Sequence, residues 1–237
     1  MPHADTPRHA ERGSPWAPMR DRQLERALKR EAVLRTAARM FNEKGFHATS
    51  LDEVAERLNV TKPTLYYYVS SKDEILFECV RIGLEMVRKG IDDVARSGGS
   101  AADKLVACMR AYARVVTMDF GACVIRVGED PLPPESRREL RRLKAEIDRE
   151  FRDLIASGVA DGSLAPCDPK LAAFTIAGAL SWIGRWYRPE GPLGADDAIE
   201  RCIEVLAGGI LAGPARRPDA DRAANAPPAR ARRPSQR

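Results

Sequence analysis

Residues Ser50 to Lys72 have the sequence SLDEVAERLNVTKPTLYYYVSSK, and the rest of the predicted fold is built around this segment. Ser50 is followed three residues later by a glutamate, the spacing of a capping box, so a helix is predicted to begin here. Asn59 tolerates the left-handed conformation with which a helix ends. Thr61 predicts the start of a second helix, and the proline two residues on lies in its first turn, where a missing N–H costs little. Two helices of about eight residues joined by a tight turn form a helix-turn-helix.

The apolar positions of this stretch recur at helical spacing, so each helix has one face for the protein interior. In the second helix Leu65 and Val69 stand four residues apart and point inward. The positions between and before them are therefore predicted to face outward. These outward positions are Lys62, Thr64, Tyr66 and Tyr67.

The sequence NVTKPTLYYYVSSKDEIL resembles the recognition segment of the TetR family of bacterial transcriptional regulators, whose consensus is V-S-x-G-T-L-Y-x-H/Y-F-x-S-K-x-x-L. Pro63 replaces the usual glycine of that consensus, and Val69 replaces the usual phenylalanine. The resemblance in sequence covers Arg30 to Leu76 and is architectural beyond that segment. The positions that match are Val60, Thr64, Leu65, Tyr66, Tyr68, Ser71, Lys72 and Leu76.

The resemblance implies a ligand-responsive transcriptional repressor that binds a near-palindromic double-stranded DNA operator as a homodimer and is released by a small-molecule effector. Residues near the start of the recognition helix would reach base edges in the major groove, and residues further along would hold phosphates. Ser50 would place a helix N-terminus at the DNA backbone, where anions are stabilised. The alternative for the three consecutive tyrosines is that they only pack. The predicted DNA-binding residues are Ser50, Lys62, Pro63, Thr64, Tyr66, Tyr67, Tyr68 and Lys72.

Charge is distributed unevenly along the 237 residues. Residues 1–72 carry 13 basic and 9 acidic side chains, residues 73–212 carry 19 and 23, and the last 25 residues carry 7 and 2. A basic head on a mildly acidic body suits DNA binding by the head alone. The alternative is that this imbalance is ordinary surface variation.

Several classes of protein are disfavoured by the composition. The chain has no apolar run of about 18 residues, which a membrane span needs, and its N-terminus has no apolar segment typical of a secretion signal. The five cysteines are widely spaced, which favours reduced thiols in a cytoplasmic protein. No metal-ligand spacing, phosphate-binding loop or Ser-His-Asp arrangement is present, so no metal, cofactor or catalytic residue is predicted.

The remaining sequence alternates amphipathic helical patterns with Gly- and Pro-rich breaks. The predicted class is all-α, with an N-terminal three-helix helix-turn-helix head on a larger helical body for ligand binding and dimerisation. The last two helices, near residues 168–187 and 196–211, are predicted to form a four-helix bundle with their symmetry mates. The predicted domains are a disordered arm at 1–20, the DNA-binding domain at 21–72, the body at 73–212 and a disordered basic tail at 213–237.

One segment of the body combines aromatic and basic residues. WIGRWYRPEG, residues 182–191, holds two of the three tryptophans and two arginines at a predicted helix end. It resembles the corresponding stretch of TetR regulators that respond to acyl-coenzyme A thioesters in lipid or sterol breakdown. A site for coenzyme A would pair guanidinium groups with an aromatic surface. The alternative is an aromatic packing cluster at the dimer seam, with arginines reaching into solvent.

Two other hypotheses remain open for the body. The effector would instead be a different hydrophobic or cationic compound, or the protein would be a coenzyme A-handling enzyme that retains a DNA-binding head. A DNA-binding architectural protein without a ligand is a third alternative. The predicted ligand-binding residues are Arg185, Trp186, Arg188, Trp182, Met109, Tyr112, Phe120 and Phe174.

Overall fold

The computed structural model describes residues 19–208, and this part of the chain forms nine α-helices without a β-strand. Most of the predicted arm, the whole predicted tail and the last residues of the predicted final helix lie outside the described residues. The helices are α1 (Met19–Lys44), α2 (Leu51–Arg57), α3 (Lys62–Tyr66), α4 (Lys72–Ala95), α5 (Ala101–Thr117), α6 (Asp119–Arg126), α7 (Pro134–Ala160), α8 (Pro169–Trp186) and α9 (Ala195–Gly208).

The predicted helix starts are confirmed at their capping residues. The Ser50 hydroxyl accepts the backbone N–H of Glu53, whose carboxylate accepts the Ser50 N–H at 2.8 Å, which completes the capping box. Thr61 caps α3 through its hydroxyl. Asn59 has a φ of 53°, the left-handed conformation predicted for the end of the first helix.

Helix α3 is shorter than predicted, because it ends at Tyr66 after five residues. The backbone N–H of Tyr68 donates to the Leu65 carbonyl at 2.9 Å, three residues back, so the helix tightens into a turn. The chain then reaches Ser71, whose hydroxyl caps α4. The joint between α3 and α4 therefore consists of a single turn and a capping residue.

The three-helix head has its own apolar centre, in which α1 packs on α2 and α2 packs on α3. Phe41, Val54 and Leu65 are each at most 1% exposed. Helix α4 begins against this centre and continues into the body, where Ile75 and Cys79 are fully buried. The same core cluster therefore runs from the head into the body.

The body is a bundle in which α4 packs on α5, α6 and α7, and α5 packs on α7, α8 and α9. Helix α6 approaches α4 closely at Gly83, where a Cβ would lie 2.8 Å from the Phe120 carbonyl oxygen. Helix α6 also contacts α1. Helix α6 therefore contacts both α1 of the head and α4, the long helix that connects the head with the body.

Candidate functional site: the recognition helix and the head–body junction

Helix α3 presents one polar and aromatic face to solvent. Leu65 is 0% exposed and anchors the opposite face, whereas Tyr66 and Tyr67 are 45% and 63% exposed. Lys62, Pro63 and Thr64 are also exposed. The four residues predicted to face outward do so, and Pro63 joins them on the same short helix.

Two residues of this face are held by neighbours on the head. The Lys62 ammonium lies 2.7 Å from a carboxylate oxygen of Asp52 on α2, and that hydrogen bond and charge raise the pKa of Lys62. The Thr64 hydroxyl is 2.8 Å from the hydroxyl of Thr61. These contacts set the side-chain directions before any partner arrives, which lowers the entropy cost of binding.

The tyrosines after Leu65 differ in their surroundings. The Tyr67 ring meets the Tyr68 ring edge-on at 5.1 Å between centroids, and the guanidinium of Arg26 lies 5.1 Å from the Tyr67 centroid. Tyr68 is half-buried against the head core. Tyr66 and Tyr67 are therefore exposed to a partner, Tyr67 with Arg26 beside its ring, whereas Tyr68 also packs on the head core.

Lys72 lies at the start of α4 but its ammonium turns back into the head. It donates to the carbonyl oxygens of Phe46 and Thr49, each at 2.9 Å, and lies 4.4 Å from the Phe46 ring centroid. Lys72 thus ties α4 to the segment that precedes α2. A role in holding the head together accompanies the phosphate contact predicted for it.

The start of α2 is also firmly oriented. Besides its bonds to Ser50, the Glu53 carboxylate accepts a hydrogen bond from Lys44 at 2.6 Å. The Lys44 hydrogen bond and the bonds from Ser50 lower the pKa of Glu53 to about 2. The N-terminus of α2 is exposed at Ser50, as a contact with a DNA phosphate would need.

The eight residues predicted to bind a ligand are not brought together in one place. Met109 and Phe120 are 3% and 4% exposed, inside the core. The Tyr112 hydroxyl is 2.8 Å from that of Ser181. Phe174 and Trp182 lie on the outer surface of α8, at 52% and 65% exposed, so they do not share a cavity with the buried residues.

Helix α8 carries a row of exposed apolar residues along its outer face. Leu171, Phe174, Trp182 and Trp186 are between 42% and 65% exposed. Gly178 lies in the same row, and a Cβ added there would meet nothing within 4 Å. We call these five residues the α8 outer face, and Val205 on the neighbouring α9 is exposed as well.

Three arginines meet at the C-terminal end of α8. Arg185 and Arg188 come from α8 and the segment after it, and Arg126 ends α6. Burial lowers the pKa of the Arg126 guanidinium, and the positive charges of Arg188 and Arg185 lower it further. Among residues 19–208, no carboxylate lies within ion-pair distance of any of the three.

Arg126 was not predicted from the sequence, yet it joins three helices. Its guanidinium donates to the Gly184 carbonyl at 2.7 Å and the Tyr187 carbonyl at 3.0 Å, both at the end of α8. It also reaches the carbonyl of Asn42 in the last turn of α1 at 3.5 Å. One cation therefore caps the C-terminal ends of two helices, where the helix dipole favours positive charge.

A cleft of about 650 Å³ opens beside Arg126, between the head and the body. We call it the junction cleft. Four arginines line it, from four elements: Arg39, Arg57, Arg126 and Arg188. A second cleft of about 560 Å³ lies between α1, α4 and α6, and is lined mainly by apolar residues including Phe120. Met118 lines both clefts.

Comparison with known proteins identifies the architecture. Residues 33–79 match the family of bacterial regulatory proteins, tetR family, and residues 98–210 match the tetracyclin repressor-like C-terminal domain. A transcriptional regulator of the TetR/AcrR family from Thermobifida fusca YX-ER1 shares 34% identity with this chain, at a TM-score of 0.61. The alignment covers 78% of this chain and 99% of that protein. This chain belongs to the TetR family.

Two further relatives are similar to this chain over most of its length. The HTH-type transcriptional repressor KstR2 of Mycolicibacterium smegmatis is 26% identical over 189 residues, 78% of this chain and 91% of KstR2. The crystal structure of AibR in complex with isovaleryl coenzyme A and operator DNA is 24% identical, at a TM-score of 0.66. It covers 75% of this chain and 97% of AibR, and it shows the shared fold.

The TetR family membership confirms the predicted family, the predicted all-α class and the prediction of a helix-turn-helix transcriptional regulator. The individual residues predicted to contact DNA or an effector stay predictions. Within residues 19–208, every helix is too short or too polar to cross a membrane.

Proposed function

We propose that this TetR-family protein is a ligand-responsive transcriptional repressor, and not an enzyme, that reads operator DNA with the exposed face of α3. The observation that carries the proposal is the α3 face itself. Leu65 is fully buried beneath it, while Lys62, Thr64 and Tyr66 project from a helix of the head. In a helix-turn-helix the second helix lies in the major groove, with its first residues at the base edges.

Different residues of the head would contact the bases and the phosphates of the operator. Lys62, Pro63 and Thr64 at the start of α3 would read bases, and Tyr66 and Tyr67 would hold phosphates. We keep residues 21–72 as the DNA-binding domain and 73–212 as the body. The head is basic and the body mildly acidic, which directs the phosphate backbone to the head.

DNA recovered from genomic fragments by the purified protein gives the operator and tests this proposal. Thr64→Ala and Lys62→Ala should each weaken operator binding by about 1–3 kcal/mol and relax preference at particular base pairs. Lys89→Ala on exposed α4 surface is the matched control and should leave both unchanged. Full affinity and unchanged sequence preference in both α3 variants would contradict the assignment.

The α8 outer face supports a homodimer with a second copy of this chain. Its apolar side chains lie in one row, a larger exposed apolar area than scattered surface residues give. Gly178 leaves space in the row for a neighbouring helix to approach. Packing α8 and α9 on their symmetry mates would cover Phe174 and Trp182, two residues also predicted to bind the effector, and would leave Trp186, the last residue of the row, at the edge of the interface.

The effector is proposed to be an acyl-coenzyme A thioester held at the end of α8. Arg185 and Arg188 have no carboxylate partner among the described residues, and Trp186 beside them is 42% exposed. This pairing of guanidinium groups with an aromatic surface suits phosphates and an adenine ring. The likeness to the repressor KstR2, and a shared fold with AibR, whose structure contains isovaleryl coenzyme A, add support.

A different hydrophobic or cationic effector is the second candidate. It is favoured by the 560 Å³ cleft between α1, α4 and α6, which is lined mainly by apolar residues. An effector in that cleft would not need Arg185. Response of operator binding to a ligand without phosphates, in an Arg185→Ala variant, would select this alternative.

A further inference from the structure

The junction cleft contains more positive than negative charge after its internal pairs are counted. Arg39 lies 2.9 Å from the Asp119 carboxylate, and Arg57 lies 3.9 Å from that of Glu43. Arg126 and Arg188 remain, and in the described part of the chain they donate only to backbone carbonyls. The remaining carboxylate that lines the cleft belongs to the exposed Glu190.

A guanidinium that donates to neutral carbonyls keeps its full charge available. Hydrogen bonds between a guanidinium and a phosphate are shorter and about twice as strong as bonds between neutral groups. Arg126 is also half-buried and close to the positive charges of Arg185 and Arg188, and solvent screens this repulsion less than it does between fully exposed groups. An anion between them would remove this repulsion.

We infer that the junction cleft is a binding site for a phosphate group, held by Arg126 and Arg188, and that Arg126 couples its occupancy to the head. The inference rests on the proposed function, because it names where a phosphate of the effector would bind and how its binding would reach α1. Met118 lines both clefts, so a ligand with its phosphate in the junction cleft would have the second, mainly apolar cleft on the other side of Met118.

The coupling follows from the three carbonyls that Arg126 binds. Its bonds to the end of α8 are 2.7 and 3.0 Å long, whereas its contact with the Asn42 carbonyl of α1 is 3.5 Å, the limit of a hydrogen bond. A phosphate that engages the guanidinium would displace the weakest contact first. The end of α1 would then keep its bonds to Asp119 on α6 but lose its tie to α8.

Loss of that tie changes the balance between two arrangements of the head. Effector and operator then prefer different arrangements, and each lowers the affinity for the other by the same factor. Replacing Arg126 by lysine keeps the charge but removes the forked geometry that reaches α1 and α8 together. The ratio of effector affinities without and with operator therefore reports on Arg126 itself.

The binding test uses the full chain, titrated calorimetrically with adenosine 3′,5′-bisphosphate and with pyrophosphate, at constant ionic strength. Adenosine and sodium sulfate are the control ligands. We expect both phosphate compounds to bind and adenosine to give no binding heat. Sulfate should bind at least tenfold more weakly than pyrophosphate. Arg126→Gln and Arg188→Gln should each weaken binding about tenfold or more, whereas Arg138→Gln on the exposed surface of α7 should not.

Equal binding by the Arg188→Gln variant would overturn the site, and because Arg188 is exposed this variant does not depend on a fragile fold. Equal binding of sulfate and pyrophosphate would mean a general anion effect and would also overturn it. The coupling has a separate readout. In Arg126→Lys the affinity for the bisphosphate should be nearly the same without and with operator, so that the ratio of the two falls towards one. An unchanged ratio would show that Arg126 does not couple the cleft to the head.

Failure of the site and failure of the proposed function give different results. If acyl-coenzyme A releases the operator while the Arg126 and Arg188 variants bind bisphosphate normally, the effector is right and the junction site is wrong. If no acyl-coenzyme A releases the operator but bisphosphate binding depends on both arginines, the site stands and the proposed effector is wrong.

Discussion

At the scale of single residues, the Lys72 side chain stabilises the head through contacts with the segment between α1 and α2. Its ammonium binds two carbonyls of the segment between α1 and α2, and packs over the ring of Phe46. Those carbonyls follow the C-terminal end of α1, and the Phe46 carbonyl also accepts the backbone N–H of Thr49 at 3.2 Å. Lys72 therefore holds α4 against the head at the point where the two are joined.

Replacing Lys72 by methionine should lower the free energy of unfolding by about 1–3 kcal/mol, because two carbonyls lose a charged donor. Chemical denaturation measures this loss, and Lys29→Met on exposed α1 surface is the control that should not change stability. Operator affinity should fall in Lys72→Met for all DNA sequences alike. Unchanged stability with lower DNA affinity would mean that Lys72 acts only as a phosphate contact.

Some residues were predictable and others were not, and the difference is the distance along the chain to their partners. Ser50 and Thr61 cap helices through bonds to residues three positions away, so their roles follow from local spacing. Arg126 binds carbonyls that lie 58, 61 and 84 residues away. No local sequence pattern predicts these contacts, because they depend on how α1, α6 and α8 pack together.

At the scale of elements, the close packing of α6 on α4 links the body to the head. Helix α4 starts one turn after α3 and passes directly under α6. At Gly83 the two backbones approach so closely that a Cβ would lie 2.7 Å from Val124 Cγ2 and 2.8 Å from the Phe120 carbonyl. A shift of α6 would therefore move α4, and with it the orientation of α3.

Gly83→Ala should force α6 away from α4, because the carbonyl is backbone and cannot rotate aside as a side chain can. We expect a loss of about 1–3 kcal/mol in unfolding free energy, as for other overpacked cores, together with altered operator affinity. Gly98→Ala is the matched control, since a Cβ there meets nothing within 4 Å. If Gly83→Ala and Gly98→Ala behave alike in both measurements, α6 does not constrain α4.

The helix pattern predicted the elements of the body well but not the direction of every face. The α8 sequence is apolar on more than one side, so its pattern did not separate the exposed Phe174 from Met109 and Phe120, with which it was predicted to line a cavity. Which side of α8 is covered depends on where α5 and α7 pack, and that is a property of the tertiary structure. Helix α3 is also shorter than its pattern predicts, because the chain turns after Tyr66 and reaches the α4 cap at Ser71.

At the scale of the whole molecule, the proposed dimer through the α8 outer face would set the spacing of two α3 helices. Gly178→Arg would place a charge in the middle of that face, whereas Gly178→Ala adds one methyl group in open space. Light scattering should find a monomer for the arginine variant and a dimer for the alanine variant. The monomer should also bind the operator weakly, as a half-site. Dimers of unchanged stability in the arginine variant would move the interface elsewhere.

The effector would act on this dimer from the end of α8, next to both the dimer face and the head. Arg185 and Trp186 lie at the last turn of α8, and Arg126 connects that turn to α1. A ligand there would touch α8, the helix proposed to form the dimer, and through Arg126 would reach α1 of the head. One small molecule would then change the distance or angle between two recognition helices.

The proposed effector is tested by titrating the protein–operator complex with an acyl-coenzyme A thioester from lipid or steroid breakdown, beside the matching free acid. We expect the thioester to release the operator and the acid to leave it bound, and we expect Arg185→Ala to bind the operator normally but no longer to respond. Release by the free acid at equal concentration, or a full response of Arg185→Ala, would contradict this proposal.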